Sequence, residues 1–88
     1  MGTKPRPKPK HLPAKLAAIR KHLNATLSEM VMLLNFQVTS SRICEYEKGS
    51  REPNLMVLLA YARLAKIPLE QIVDDDIDLI RSLYVNSE

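Results

Sequence analysis

Residues that typically begin or end helices recur along the chain and divide it into short segments. They are Pro13, Asn24, Thr26, Thr39, Gly49, Asn54 and Pro68. Pro fits the first turn of a helix, Thr and Asn cap its start, and Gly or Asn ends it in the left-handed region. Apolar side chains between these residues keep the three- and four-residue spacing of a helix. The pattern predicts an all-α fold with helices of about 13–24, 27–35, 40–48, 55–66 and 69–73.

The same spacing predicts which side chains form the core. In "TLSE", Thr26 and Glu29 form a capping box that starts the second helix. Met32 and Leu33 lie outside that helix's main apolar stripe, which predicts a contact with a neighbouring helix or a second subunit. The predicted core residues are Leu16, Ile19, Leu23, Met30, Val31, Leu34, Ile43, Tyr46, Leu55, Leu58, Leu59, Ala62, Leu69, Ile72 and Val73.

Charge is distributed unevenly between the two ends of the chain. Residues 1–25 hold seven bases and no acid, whereas residues 67–88 hold one base and six acids. Pro alternates with Lys or Arg in "GTKPRPKPKHLP", which excludes a helix and predicts a disordered basic arm over residues 1–12. Such an arm suits a polyanion, with Lys8 and Lys10 contacting phosphates, and the acidic end is expected to face away. The rival reading is a solvated tail without a partner.

Several classes of protein do not fit this sequence. No apolar run approaches the roughly 18 residues of a membrane span, and the basic N-terminus lacks the apolar core of an export signal. We therefore expect a cytoplasmic protein. Cys44 is the single Cys, and His11 and His22 are far apart, so we expect no internal disulfide, no metal and no cofactor. No catalytic triad or phosphate-cradling Gly loop is apparent, and we expect no enzyme activity and no small-molecule ligand.

Three stretches resemble one family of regulators. "TLSEMVMLLN" is similar to the second helix of the Cro/C1-type, or XRE, DNA-binding domain, and "TSSRICEYEKGSREP" is similar to its third helix and the loop that follows. "LMVLLAYARLAKIPLEQIV" resembles the remainder of that domain. The resemblance covers residues 14–74, and its most specific part is Ile-x-x-Tyr-Glu-x-Gly-x-Arg-x-Pro over residues 43–53.

The resemblance implies a five-helix lambda-repressor-like domain over residues 13–74, in which the second and third helices form a helix-turn-helix. Residues 75–88 would be a C-terminal extension, with dimerisation as one role. The implied function is sequence-specific binding of double-stranded DNA by a transcriptional regulator. A repressor acting as a homodimer on a palindromic operator fits best, because one small reading head covers few base pairs. The alternative is a protein-interaction module, such as an antitoxin or adaptor, on the same fold.

The resemblance also implies the residues that would contact DNA. The base-reading positions are Ser40, Ser41, Arg42 and Glu45, and the phosphate-contacting positions are Thr26, Ser28, Thr39, Lys48, Ser50 and Arg51 beside Lys8 and Lys10. Without the resemblance, the sequence predicts that Arg42 and Glu45 form an ordinary surface ion pair. A simple helix cap is an equally good interpretation of Thr26. Glu47 and Arg51 are expected to hold the loop by an ion pair, unless Arg51 contacts phosphate instead.

The sequence departs from the family pattern at several points. The turn between the second and third helices is about two residues longer than usual, which affects the relative pose of the two helices. Leu27 stands where a phosphate-contacting Gln is common, and Val31 replaces a small Ala at the close approach of the helices. Asn35 replaces the turn Gly and tolerates the left-handed region. Cys44 replaces a Ser, and we expect it to make a small polar contact rather than act as a redox switch.

Overall fold

The computed structural model describes residues 9–79, and this part of the chain consists of five α-helices without a β-strand. They are α1 Leu12–His22, α2 Leu27–Leu33, α3 Ser40–Lys48, α4 Leu55–Ala65 and α5 Glu70–Val73. The all-α prediction is therefore confirmed. The largest errors in the predicted bounds are at the ends of α1 and α2, each of which stops two residues early. None of these helices has the length and apolar character that crossing a bilayer requires.

Side-chain caps start three of the helices. The Thr26 hydroxyl oxygen accepts the backbone N–H of Glu29 at 3.1 Å, and the Glu29 carboxylate accepts the N–H of Thr26 at 2.8 Å. Thr39 and Asn54 cap α3 and α4 by accepting the N–H three residues further on, at 3.2 and 2.9 Å. Each cap satisfies an N–H that the helix itself leaves unpaired. The predicted capping box and the two predicted caps are confirmed.

Four of the helices are followed by a residue in the left-handed region. These residues are Asn24, Asn35, Gly49 and Lys66, with φ angles of 54°, 57°, 82° and 58°. In each case the next N–H donates to a carbonyl five residues back, at 2.9–3.2 Å, which reverses the chain sharply. Phe36 is also left-handed, with φ 60°. The connection between α2 and α3 therefore contains two consecutive left-handed residues.

α1 packs against α3, α4 and α5, and α2 packs against α3. The core that results is aliphatic except for Tyr46 and Tyr61. Two predicted core residues are wrong: Leu55 is 65% exposed, and Leu59 is half-buried along a surface groove. α4 turns Val57, Leu58 and Tyr61 inward, and Leu55 lies about 200° around the helix from Val57. The buried apolar residues are Leu12, Leu16, Ile19, Met30, Leu34, Ile43, Tyr46, Val57, Leu58, Tyr61, Ala62, Ile72 and Leu79.

The segment after α5 returns to the start of α1. Leu79 is fully buried, and the ammonium group of Lys15 donates a hydrogen bond of 2.6 Å to the backbone carbonyl of Asp74. Lys15 is only 3% exposed, and this desolvation lowers its pKa although nearby aspartates act in the opposite direction. The sequence also predicts a last helix or a strand in "IDLIRSLYV", residues 77–85, and most of this stretch, including Ile80 and Tyr84, lies outside the described residues.

Candidate nucleic-acid interface

α3 has one buried face and one exposed face. Ile43 and Tyr46 are 0% and 5% exposed and fix the helix against the core. Ser40, Ser41 and Arg42 form the exposed N-terminal end of the same helix. The spacing of the buried residues, three apart, leaves the first turn free of core contacts on its outer side. The three predicted base-reading residues of that turn are thus accessible.

Glu45 brings two arginines together on the outer side of α3. Its Oε1 atom lies 3.3 Å from Nε of Arg51 and 3.9 Å from Nε of Arg42. All three side chains are 42–48% exposed. Exposed ion pairs of this kind contribute only about 0–1 kcal/mol. Both guanidinium groups can therefore exchange Glu45 for an external anion at little cost in free energy.

The predicted ion pair between Glu47 and Arg51 is wrong. Glu47 instead accepts two hydrogen bonds from Arg20 of α1, Nε–Oε2 at 2.7 Å and Nη2–Oε1 at 2.9 Å. Arg20 also donates to the carbonyl of Ala25 at 3.1 Å. Glu47 points toward α1 because it lies on the side of α3 that packs there, whereas Arg51 follows Gly49 onto the side of Glu45. The hydrogen bond with Glu47 raises the pKa of Arg20.

The last residue of α3, Lys48, is exposed, and so are Ser50 and Arg51 in the loop that follows. Ser50 ties this loop to the helix end, since its backbone N–H and its hydroxyl both donate to the carbonyl of Glu45, at 3.1 and 3.3 Å. Gly49, in the left-handed conformation, makes the turn between the end of α3 and Ser50. Three of the predicted phosphate-contacting residues therefore lie on one short and well-connected stretch beside Glu45.

The remaining predicted phosphate contacts are placed less closely together. Thr26 and Ser28 are exposed at the start of α2, and Thr39 is exposed at the start of α3. Thr26 and Thr39 use their hydroxyl oxygens as caps, which leaves each hydroxyl hydrogen able to donate. Lys10 is exposed just before α1, and Lys8 lies outside the described residues.

Three residues that make long-range tertiary contacts were not predicted, namely Lys15, Arg20 and Asp75. Lys15 could have been recognised, because it falls on the same helical face as Leu12 and Ile19. Arg20 and Asp75 carry no such signal, since their partners are 27 and about 65 residues away. Cys44 is a half-buried free thiol. Over residues 9–79, no three His, Cys, Asp or Glu side chains are placed to hold a metal ion.

Comparison of the chain with protein-family models found no match, and comparison with curated proteins and with solved structures found no significant match. The resemblance to the Cro/C1-type domain therefore rests on the motif in residues 43–53 and on the helical pattern around it.

Proposed function

We propose that this protein binds double-stranded DNA in a sequence-specific manner and regulates transcription as a homodimeric repressor. In this proposal, α2 and α3 form a helix-turn-helix within a lambda-repressor-like domain, and α3 lies in the major groove. The observation that carries it is the arrangement of α3. Its inner face is fixed by Ile43 and Tyr46, while the polar N-terminal end remains exposed.

The chemistry of that exposed end suits the edges of base pairs. Arg42 can donate two hydrogen bonds to guanine, and Glu45 can accept one from the amino group of cytosine. Ser40 and Ser41 are small hydroxyl residues that can bond to several base edges. A reading helix must also be held rigidly, because a base contact depends on its position to a fraction of an ångström. The bidentate pair between Arg20 and Glu47 contributes this rigidity by joining α3 to α1.

Phosphate binding would come from the loop after α3 and from the basic arm. Lys48, Ser50 and Arg51 are exposed together, and they lie beside the C-terminal end of the proposed reading helix. Contacts of this kind position a protein on the duplex without reading its sequence, and they weaken as salt rises. The salt dependence of binding therefore measures their number.

A second candidate function is a protein-interaction module. The observation that favours it is the group of exposed large apolar side chains, which are Met32, Leu33, Phe36, Leu55 and Met56. Apolar surface of this type often marks a protein contact. The same residues also suit a dimer of the chain, so they do not by themselves distinguish an adaptor from a dimeric DNA-binding protein.

The first experiment is selection of duplexes from a random pool by the full-length protein, followed by titration of the selected duplex and a scrambled duplex. We expect a palindromic sequence that binds tighter than the scrambled duplex, typically by a factor of about 10³ or more. No enriched sequence, with weak and equal binding that fades with salt, would refute the proposal and favour the interaction module.

Arg42→Ala tests the reading role directly, and Arg63→Ala is its matched control because Arg63 is an exposed arginine on α4. We expect Arg42→Ala to relax the preference at one base step and to lose ~1–3 kcal/mol on the selected duplex. Arg63→Ala should leave the preferred sequence unchanged. Equal losses on the selected and scrambled duplexes would show that Arg42 does not read bases.

A further inference from the structure

The C-terminal acidic segment binds the N-terminal end of α1 through Asp75. The Oδ2 atom of Asp75 accepts the backbone N–H of Lys10 at 2.9 Å, and its Oδ1 atom accepts that of His11 at 3.1 Å. His11 occupies the position that usually caps a helix, but its side chain makes no capping bond within the described structure. These two N–H groups belong to the cap position and to the residue before it. The carboxylate of Asp75, more than 60 residues away in sequence, therefore fixes the entry into α1, in the way that the N3 acid of a capping box holds the N–H of the cap residue.

Two further contacts hold Asp75 in place. The backbone N–H of Asp76 donates to the Asp74 carboxylate at 2.9 Å, which closes the turn that presents Asp75. The carbonyl of Asp74 accepts the hydrogen bond from the buried ammonium group of Lys15. We call these contacts of Asp74 and Asp75 with Lys10, His11 and Lys15 the N-terminal clamp. Because Lys15 is buried and Leu79 is part of the core, the clamp is attached to the domain at both ends.

The clamp determines where the basic arm leaves the folded domain. Pro9, directly before the clamped Lys10, lines a small crevice together with Tyr46, Gly49 and Arg51. Pro9 is therefore held beside the loop after α3, which carries the proposed phosphate contacts. Residues 1–8 add Lys4, Arg6 and Lys8 and contain no acid. Three positive charges thus precede a point that is fixed next to the proposed DNA-binding surface.

We infer that Asp75 is a positioning residue for DNA binding, because it fixes the origin of the basic arm beside the loop after α3. The inference rests on the proposed function and adds a residue to it. A tethered group binds more strongly when its attachment point keeps it close to its target, because the effective concentration is higher. The direction of the change in DNA affinity distinguishes this positioning role from a simple effect of charge. Removing an acid normally strengthens binding to a polyanion, whereas removing Asp75 should weaken it.

The experiment compares four full-length proteins on the selected duplex at one salt concentration. They are the wild type, Asp75→Ala, a neutral-arm variant with Lys4→Gln, Arg6→Gln and Lys8→Gln, and the combination of the two sets. We expect Asp75→Ala to weaken binding on the order of 3- to 10-fold in the wild-type background, by loss of effective concentration. In the neutral-arm background, Asp75→Ala should not weaken binding, because residues 1–8 then carry no charged side chain to position.

Asp76→Ala is the matched control. It removes the same charge from the adjacent residue, whose part in the turn is played by its backbone N–H. We expect this variant to bind as tightly as the wild type or slightly more tightly. Asp75→Asn, which keeps the size of the side chain and one acceptor oxygen, should lie between the wild type and Asp75→Ala. Far-UV circular dichroism of each variant checks that the helices are retained.

Amide hydrogen exchange gives a readout that needs no DNA. The N–H groups of Lys10 and His11 should be protected in the wild type and in Asp76→Ala, and should exchange faster in Asp75→Ala. Unprotected amides in the wild type would overturn the inference, and so would equal or tighter DNA binding by Asp75→Ala. An equal loss in the neutral-arm background would also overturn it, because the effect would then not depend on the arm.

Failure of the proposed function gives a different result. If the wild type binds no duplex preferentially, the proposed function fails and this inference fails with it, even where the amides of Lys10 and His11 are protected. If the wild type selects a duplex but Asp75→Ala binds it equally well, only the positioning role is refuted.

Discussion

Glu45 and Glu47 are two residues apart on α3 and have different surroundings. Glu47 is 13% exposed and makes a bidentate contact with Arg20 of α1. Glu45 is 42% exposed and shares one carboxylate oxygen between two arginines. A charge that is partly removed from water depends on its partner, whereas an exposed charge is served well by solvent. The two residues should therefore differ in their contribution to stability.

We expect Glu47→Gln to lower the free energy of unfolding by about 1–3 kcal/mol, because Arg20 then keeps a half-buried charge without a charged partner. Glu45→Gln, the matched control on the same helix, should change stability by about 0.5 kcal/mol or less. Urea unfolding at neutral pH measures both values. A larger loss for Glu45→Gln than for Glu47→Gln would contradict the assignment of the two environments.

Asp75 should make the free energy of unfolding depend on pH in the acidic range. The N–H groups of Lys10 and His11 hold its pKa below the ordinary value of 3.8. Because the pKa is lower in the folded state, the stabilisation is complete above the unfolded pKa and is lost as pH falls through the folded pKa. The stability difference between the wild type and Asp75→Asn should thus be constant at pH 5–7 and shrink below about pH 4. Unfolding curves at several pH values measure it, and a difference that does not change with pH would contradict it.

At the scale of elements, the residues that cap a helix determine where it begins and ends. Thr39 caps the start of α3 and Gly49 ends it, which limits the helix to nine residues. Two of these, Ile43 and Tyr46, are buried in the core. Gly49 has φ 82°, and a Cβ atom added there would lie 3.2 Å from Cγ of Pro13. Lys66 ends α4 in the same left-handed conformation with an ordinary side chain. Left-handed residues other than Gly are strained. Replacing Gly49 should therefore add strain, and introducing Gly at position 66 should remove it.

We expect Gly49→Ala to destabilise the domain by about 1–2 kcal/mol, from the left-handed backbone and the close approach to Pro13. Lys66→Gly should stabilise it by about 0.5–1 kcal/mol, because glycine removes the strain but increases the entropy of the unfolded chain. Thermal or urea unfolding of both variants tests the pair. A stable Gly49→Ala protein would show that the turn after α3 does not require a left-handed residue.

At the scale of the whole molecule, the exposed large apolar side chains within residues 9–79 include two groups that line different grooves. Met32, Leu33 and Met56 lie around the end of α2 and one side of α4, where Leu33 and Met56 line the same shallow groove. Leu55 is similarly exposed but lines a different groove with Pro9, Leu69 and Val73. The proposed homodimer would cover part of this apolar surface, since the core of a dimer interface is rich in apolar contacts.

We expect the protein to associate at high concentration and Leu33→Lys to weaken this association at least tenfold, because a buried lysine would lose its hydration at the interface. Leu55→Lys is the matched control and should leave association unchanged. Sedimentation equilibrium over a range of concentrations measures both. A monomer mass for the wild type at high concentration would refute the dimer, and dissociation by Leu55→Lys alone would move the interface to the other groove.

Local chemistry alone determined much of the fold. The caps at Thr26, Thr39 and Asn54 and the left-handed position of Gly49 depend only on residues within one turn, so the sequence predicts them directly. The helical spacing likewise predicts most of the core, including Ile43 and Tyr46. The exposed first turn of α3 follows from the same pattern, and with it the accessibility of the predicted base-reading residues.

Only the tertiary structure decided the long-range partners. Glu47 could pair with Arg51 by proximity in sequence, but the packing of α3 on α1 directs it to Arg20. Asp75 binds the start of α1 because the core places the segment after α5 beside it, and no spacing in the sequence contains that information. The outward rotation of Leu55 depends likewise on which face of α4 the other helices cover. Sequence determines contacts within a turn, whereas contacts between elements depend on how the whole core packs.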